Sequence, residues 1–598
     1  MARRAVFLTV AFLIGAYYLW CARATGHNFL WGYDLGGYYN YLGRAFAHGH
    51  LYVEIPPDPR LLALPDPYAA TVDDSLKVHD MAFYRGRYYL YHGATPAVLL
   101  FTPWRLVTGH DVPENFALVV FCFAGFLFSA GSLLRLLSLA KIETSPWVLA
   151  LLLLALGICQ GVPYLFGRVW VYEIAIGAGY CCLSAAVFFL ASSFQSARPS
   201  FWLAASGLMF GLSIGCRPHL GLAATIATAA LAVSFLRKRR LVAILPFLAP
   251  LVAVGLLIAA YNYRRFGNPF EFGVRYLLGN PTLSRTELAG RYVFPGLYYM
   301  LFCPPDFSAI FPWVRLAFRY PFHAAGYFLE PTTGSLFLAP FLPGVLLVLM
   351  ARSGVRTVLT VVVASAIAIM LFVTGTGFTS QRYEVDFLPL AVLAATAGFA
   401  IAIARLAGWK RLLLIAAMAL LVMAGAIVNL AFGISGPYDE LLKNRPASYA
   451  RIARWFSPIK RLRPLLNPWL DVEFTAVFQP REDGFREPIL AMGQQTFRDI
   501  VVVEHHPGKL RLISQSDTSS AAQEIDDPGT TPLRLHIAYR PESRKLTVAV
   551  DGKDVLTHQL EALLTAPAQV TVGENAIAPD VSAPRFTGRI DRVRIGVQ

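Results

Sequence analysis

The chain opens "MARRAVFLTVAFLIGAYYLWCARA", residues 1–24. Two arginines precede about 18 apolar residues, enough helix to cross the ~30 Å hydrocarbon core of a bilayer. A cleaved signal peptide begins in the same way, but no small-x-small cleavage site precedes the aromatic residues that follow. The segment therefore reads as a retained signal-anchor helix. Similar apolar runs recur near 5–22, 115–138, 146–163, 171–192, 200–216, 219–236, 241–262, 336–351, 356–374, 386–406 and 411–432, which predicts about eleven spans. A shorter run, "ATPAVLLFTPWRLVTG" (94–109), holds two prolines and an arginine and reads as interfacial or re-entrant.

Composition supports the same class. Of 598 residues 56% are hydrophobic and 15% charged, where soluble domains carry about a quarter charged residues. The formal charge of +15 is unevenly spread. Residues 471–598 hold 14 Lys and Arg against 18 Asp and Glu, so the remainder carries about +19. A basic membrane part points to charge-biased loops and anionic lipid, not to nucleic acid. Of seven cysteines, Cys122, Cys159, Cys181 and Cys182 lie in apolar runs and none follows Cys303. Neither a disulfide framework nor a zinc spacing is present.

Alternating the spans from a cytoplasmic N-terminus places Arg3, Arg4, Arg135, Lys141, Arg198, "RKRR" (237–240), Arg352, Arg356, Arg405, Lys410 and Arg411 on inner loops. Those are 14 basic residues against one acid, Glu143, as the positive-inside rule requires. The outer face then receives a first loop (about 23–114), a second (about 263–335) and the whole C-terminal region. One stretch opposes the pattern. Residues 443–463, outside by this count, hold seven basic residues and no acid. An amphipathic helix lying on anionic lipid is the favoured reading over a phosphate-binding role.

Three domains are expected: a transmembrane domain over 1–432, a basic juxtamembrane linker over 433–470, and an all-β sandwich or jelly roll over 471–598. The last rests on alternating runs such as "KLRLISQ", "LRLHIAYR" and "KLTVAVDG", with a hairpin turn at Asp551-Gly552. The ending "FTGRIDRVRIGV", with "LTVAVDGKDV", resembles concanavalin-like and laminin-G-like lectin sandwiches. That resemblance leaves two roles open, holding a glycan or propping the membrane domain.

Charged groups near a membrane interior are costly and tend to mark function. Here they gather at the predicted outer ends of spans: Asp34, Arg168 and Glu173, Arg217 and His219, Glu330, then Arg382, Glu384 and Asp386. Asp34 sits in "WGYDLGGYYNYLGRAFAHGHLY" (31–52), among aromatic rings. Rings that partly desolvate a carboxylate raise its proton affinity, which suits a general base, and offer stacking faces to sugar. Equally, Asp34 can cap the helix that follows.

An acid just after the first span, followed by "YYNYLGRAFAHGHLY", resembles the D-x-x-x-Y...A...G-x-x-Y pattern of GT-C glycosyltransferases. "FYRGRYYLYHGATPAVLLFTPWRLVTG", "YNYRRFGNPFEFGVRY", "TGSLFLAP" and "SQRYEVDFLP" are similar to further segments of bacterial members, so the resemblance covers roughly 1–432. It implies a polytopic inner-membrane enzyme whose C-terminal domain is periplasmic or extracellular, taking sugar from a polyprenyl-phosphate donor to an acceptor hydroxyl on a glycan, glycolipid or protein. It implies Asp34 as general base, Glu173 as a second acid, and Arg382 with Tyr383 at the donor phosphate. Arg217, Arg264 and Arg265 are further cations for that phosphate. Arg168, Glu330 and the pair His79–Asp80 are candidates for substrate contacts. The chain lacks a paired acid beside Asp34, so no divalent metal is assigned, and no nucleotide-binding phosphate loop occurs. The rival readings are a transporter or flippase of lipid-linked sugars, though no internal repeat is visible, and a membrane-anchored carbohydrate-binding module.

Overall fold

Where no water reaches the backbone, each N–H and C=O must be paired within its own segment, and the helix is the local solution. A computed structural model describes residues 2–24, 29–69, 72–278, 288–307, 311–317, 322, 327–351, 353–437, 440–455, 470–494, 497–516, 519–540, 543, 545–560, 570–575, 577–578 and 581–597. Its principal helices are α1 (Ala2–Ala24), α2 (Tyr38–Ala47), α3 (Thr102–Thr108), α4 (Glu114–Leu139), α5 (Pro146–Ile158), α6 (Val171–Ser193) and α7 (Pro199–Ile214). They continue with α8 (Gly221–Arg237), α9 (Leu245–Phe266), α10 (Ser353–Thr374), α11 (Leu388–Arg405), α12 (Gly408–Ser435) and α13 (Pro446–Trp455). Among the described residues nine of these segments are long and apolar enough to cross a membrane: α1, α4, α5 with the turn after it, α6 and α8–α12. The chain is thus a polytopic helical membrane protein with an all-β C-terminal domain.

Two of the eleven expected spans differ from that form. The run 200–216 is the shorter α7, of 16 residues. The run 336–351 is broken, with one turn at Ser335–Leu338 followed by a 3-10 segment at Leu342–Met350. Pro340 and Pro343 explain the break, because each lacks the N–H a continuous helix requires. The Leu338 carbonyl is not left bare. Buried Asn429 of α12 donates to it at 2.8 Å and accepts from the Gly161 N–H at 3.2 Å. The interfacial expectation for 94–109 corresponds to a 12-residue apolar helix, Ala97–Thr108.

Small residues set how closely the helices approach, as lipid-embedded packing favours. A Cβ on Gly207 of α7 would lie 1.9 Å from the Phe247 carbonyl oxygen, and one on Gly211 would lie 2.8 Å from Val254. α7 and α9 therefore approach closely along a Gly-x-x-x-Gly face, backbone to backbone at Gly207 and backbone to side chain at Gly211. Across α4 and α6, Ser129 donates to Ser184 at 3.0 Å. Leu256 and Leu257 of α9 and Leu412 and Leu413 of α12 are exposed, which is the surface a bilayer would cover.

The described residues fall into two units. One comprises 1–306 and 316–440, the other 307–315 and 441–598. The second carries two five-stranded sheets. Its strands are β1 (Leu470–Val477), β2 (Arg486–Gln494), β3 (Phe497–His506), β4 (Lys509–Ser516), β5 (Ser520–Asp526), β6 (Leu533–Arg540), β7 (Lys545–Val550), β8 (Lys553–Gln559), β9 (Val570–Val572) and β10 (Arg589–Val597). The orders are β5-β4-β3-β2-β9 and β8-β7-β6-β1-β10, with antiparallel pairing throughout. Alternate residues of both, such as Val472, Phe474, Val501, Val503, Leu535 and Val548, share one core. This is the sandwich that the two-residue periodicity predicts. The Asp551-Gly552 turn joins β7 to β8 with both residues at positive φ, 50° and 83°. In the basic stretch 443–463, residues 456–463 lie outside the described residues, as does Arg352. Within the second unit α13 is held by Tyr449, whose hydroxyl donates to the Phe311 carbonyl, while Trp455 is exposed.

Gly207→Ala should lower the thermal unfolding temperature in detergent, because forcing one methyl between two backbones costs about 1–3 kcal/mol. Val233→Ala, at an exposed position of α8, should leave it unchanged.

Candidate active site

The basic loops meet at one end of the helical unit. Arg3 donates to the Thr144 carbonyl at 2.8 Å, and Gln195 donates to the Arg135 carbonyl at 3.5 Å. Near α10, Arg405 bonds the Met350 carbonyl and Arg356 the Ala351 carbonyl. The connections that carry acids and isolated arginines lie at the other ends of the same helices, and there they contact one another.

Their centre is Arg382, buried at 6% exposure in the 3-10 turn Gln381–Asp386 that precedes α11. Its guanidinium donates to Glu330 at 2.7 and 3.3 Å. It also lies 4.6 Å from the Tyr172 ring centre and 5.6 Å from that of Tyr383. Glu330 is fixed in turn. Residues 328–329 pair in parallel with 378–379, and the Ser380 hydroxyl donates to the same carboxylate at 2.6 Å. Burial works against the Arg382 charge, yet Glu330 and Glu173 raise its pKa above the ordinary arginine value.

Arg217 reaches the cluster from the α7–α8 connection. Its guanidinium is 5.0 Å from the Tyr383 ring centre and 3.2 Å from the Asp386 carboxylate. His219 bonds the same Asp386 oxygen at 3.0 Å. Glu173, at the start of α6, accepts the Trp170 N–H at 3.0 Å and is a charged neighbour of Arg382 and Arg168. Arg168 stacks on Trp170, 3.6 Å from the ring centre.

The first loop supplies Asp80. Its carboxylate is buried, accepts the Tyr172 hydroxyl and lies 3.2 Å from His79 Nε2. Burial pushes its carboxyl above the ordinary range, with His79, Arg382 and Arg168 opposing. The structure thus brings together Arg382, Tyr383, Arg217, Glu330, Glu173, Arg168, His79 and Asp80.

Asp34 occupies a different part of that loop. Its charged neighbours are Arg105, Arg44 and His110. Arg105 of α3 donates to it and lies 3.7 Å from buried Asp111, which Arg44 of α2 binds at 2.5 Å. The expected desolvation does not prevail. The Asp34 side chain is half exposed, Trp31 packs on Trp104 and Phe116 instead, and Tyr33 is exposed. The hydrogen bond from Arg105 holds the Asp34 carboxyl below the ordinary range, opposite to the expected direction. Nor does Asp34 cap α2, whose N-cap is Gly37. Two hydrogen bonds tie α2 to the segment carrying Asp80: Tyr38 to the His79 carbonyl and Tyr39 to the Gly93 carbonyl, the latter at 3.1 Å.

Arg264 and Arg265 are not brought into this cluster. Arg265 is buried and donates to the Leu90 carbonyl and the Asn262 side chain, each at 2.7 Å, and Arg264 is exposed. Tyr172, Tyr91 and His92 belong to the cluster but were not singled out by sequence. They lie in apolar-aromatic runs, where only the three-dimensional register distinguishes a packing ring from a polar one. Among the described residues no group of three His, Cys, Asp or Glu side chains is placed to hold a metal ion.

No protein-family model matches the chain, and no curated protein matches it by sequence. Similar solved structures include the oligosaccharyltransferase AglB of Archaeoglobus fulgidus in complex with an inhibitory peptide and a dolichol-phosphate, at 12% identity and a TM-score of 0.43. That match covers 76% of this chain and 58% of AglB, so this chain spans little more than half of AglB's length. ArnT of Cupriavidus metallidurans bound to undecaprenyl phosphate is similar at 14% identity, 75% and 79% coverage, and a TM-score of 0.39.

Asp80 yields a signed prediction. The folded protein holds its proton to higher pH than the unfolded chain does. The stability linked to it is complete below the ordinary carboxylate pKa and falls as pH rises through the raised value. Asp80→Asn should flatten that slope above the ordinary carboxylate pKa of about 4, read by thermal unfolding in detergent, and should not lower the unfolding temperature once the slope has levelled off.

Proposed function

We propose that the chain is an integral membrane glycosyltransferase of GT-C type. In this reading it moves a sugar from a polyprenyl-phosphate donor to an acceptor hydroxyl, at the bundle end opposite the basic loops. One observation carries the proposal: four separated connections send Asp80, Arg217, Glu330 and Arg382 into a single cluster beside Tyr172 and Tyr383. Buried charge is expensive, and a stability role would be served as well by apolar packing.

The chemistry follows from the charges. Transfer breaks the bond from the anomeric carbon to the phosphate oxygen and leaves a phosphate carrying added negative charge. Arg217 and Arg382, positioned by Asp386 and Glu330, can stabilise that charge through forked hydrogen bonds. The attacking hydroxyl gives its proton to a carboxylate as it bonds the anomeric carbon on the opposite face, with inversion. Asp34 is assigned that proton by the sequence resemblance, and its bond to Arg105 keeps it ionised and oriented. Asp80, pushed in the other direction, is assigned to the donor side. Two acids displaced oppositely are what divided roles require. A transporter would also need a charged path, but the fixed ion pairs and one-sided loops favour a reaction centre.

By the positive-inside rule the basic end faces the cytosol of a bacterial plasma membrane and the cluster faces outward. The C-terminal sandwich is then periplasmic or extracellular, where it is assigned to an acceptor glycan.

With a polyprenyl-phosphate sugar and acceptor supplied, Arg382→Ala should lower the transfer rate by about 100- to 1,000-fold, as for a lost oxyanion donor. Asp34→Asn should abolish transfer while leaving the fold intact. Normal turnover by the Asp34 variant would withdraw the base assignment. Ala63→Cys should react with an impermeant maleimide in intact cells and Lys238→Cys only after permeabilisation. The reverse labelling pattern would overturn the sidedness.

A further inference from the structure

Three buried nitrogens in the cluster lack a hydrogen-bond partner. Arg382 Nε, Arg217 Nε and His92 Nε2 are each shielded from solvent without a hydrogen-bond partner. They share two rings. The Arg217 and Arg382 guanidinium groups both face Tyr383, while Arg382 faces Tyr172 and the His92 imidazole packs perpendicular to that same ring, 5.1 Å between centres. A buried polar group left unsatisfied costs about 1–3 kcal/mol, so three around one pair of rings, two of them guanidinium donors, indicate a site completed by something that brings acceptors.

His92 is locked in place by backbone. Gly93 and Gly215 meet so closely that a Cβ on Gly93 would fall 1.9 Å from the Gly215 carbonyl oxygen, and the Thr95 N–H donates to that carbonyl at 3.0 Å. The segment carrying His92 is thereby pinned two residues before Arg217. Burial, with the charges of Arg217 and Arg382, pushes the His92 pKa down to about 3. The ring is therefore neutral at working pH, and an anion at Nε2 would select the tautomer that donates there. Asp386 also has an unpartnered oxygen, Oδ1, which none of the three donors reaches.

We infer that His92 is the third donor, with Arg217 and Arg382, of a pocket for the phosphate of a polyprenyl-phosphate lipid. The inference rests on the glycosyltransferase reading above and adds to it a neutral residue that binds anion without contributing charge. A neutral donor among two guanidinium groups holds an oxygen in a fixed direction without deepening the charge trap, so the lipid phosphate can leave after transfer. His92 is a positioning residue in this sense, and its effect should fall on binding.

The test is equilibrium binding of a short-chain polyprenyl phosphate to the detergent-solubilised full chain, beside the matching polyprenol and inorganic phosphate. Parent protein should bind the lipid phosphate and not the polyprenol. His92→Phe keeps the ring's packing on Tyr172 and should weaken binding by about ten- to a hundredfold, the usual effect of one hydrogen bond to a charged group. His92→Gln, whose amide can reach the Nε2 position, should recover most of that loss, and His92→Asn, one bond shorter, should not. Unfolding temperatures should not move in step with affinity, and the parent's affinity should show no titration near the ordinary histidine pKa. Equal lipid-phosphate affinity in parent and His92→Phe overturns the inference while leaving the glycosyltransferase reading intact. Absence of lipid-phosphate binding by the parent overturns both. Inorganic phosphate bound as tightly as the lipid, with the same dependence on His92, would make this a free-phosphate site and overturn the lipid assignment.

Discussion

The end of the helical unit opposite the basic loops is organised around one guanidinium that carries its charge out of bulk water. Arg382 keeps that charge because Glu330 takes two of its N–H groups and the faces of Tyr172 and Tyr383 supply electron-rich surface. Remove either support and the desolvation penalty of an isolated cation, several kcal/mol, is uncompensated. Each neighbour is then constrained in turn. Glu330 requires the short parallel pairing with 378–379. Tyr172 must begin α6 in the register that also lets its hydroxyl reach Asp80. Tyr383 must face both arginines.

Asp34 and Asp80 lie in the same loop, and their surroundings drive them apart. Asp34 is solvent-washed and bonded to Arg105, so its charge is favoured. Asp80 is buried with a phenol as its nearest donor, so its charge is disfavoured despite His79 beside it and the charges of Arg382 and Arg168. The difference is one of solvent. Arg105 touches a carboxylate that water still reaches, whereas that of Asp80 is shielded.

Much of this was legible in the chain. Apolar length gave the spans, and the bias of arginine and lysine gave the two ends. Alternation from Leu470 onward, with Asp551-Gly552, gave the sandwich. The segments bearing Asp80, Arg168, Glu173, Arg217, Glu330 and Arg382 were recognisable because charge is rare in such surroundings. What could not be read was pairing. Nothing local distinguishes Arg265, spent on the Leu90 carbonyl, from Arg382, set between tyrosines, since partners 52 to 175 residues away decide each case. The aromatic context of Asp34 was equally ambiguous, because rings adjacent in sequence turned to Trp104 and Phe116 instead of to the carboxylate. His92 carried no signal at all, as its position depends on two glycines 122 residues apart.

The meeting of Gly93 with Gly215 bears on which changes of length the chain can absorb. The hairpin at 82–89 ends in an open turn at Arg85-Gly86, so added residues there would loop outward and leave the site unaltered. Between Tyr89 and Thr95 there is no such slack. A single inserted or deleted residue would shift the glycine away from its counterpart and rotate the imidazole off the Tyr172 ring, with every other side chain of the site still in place.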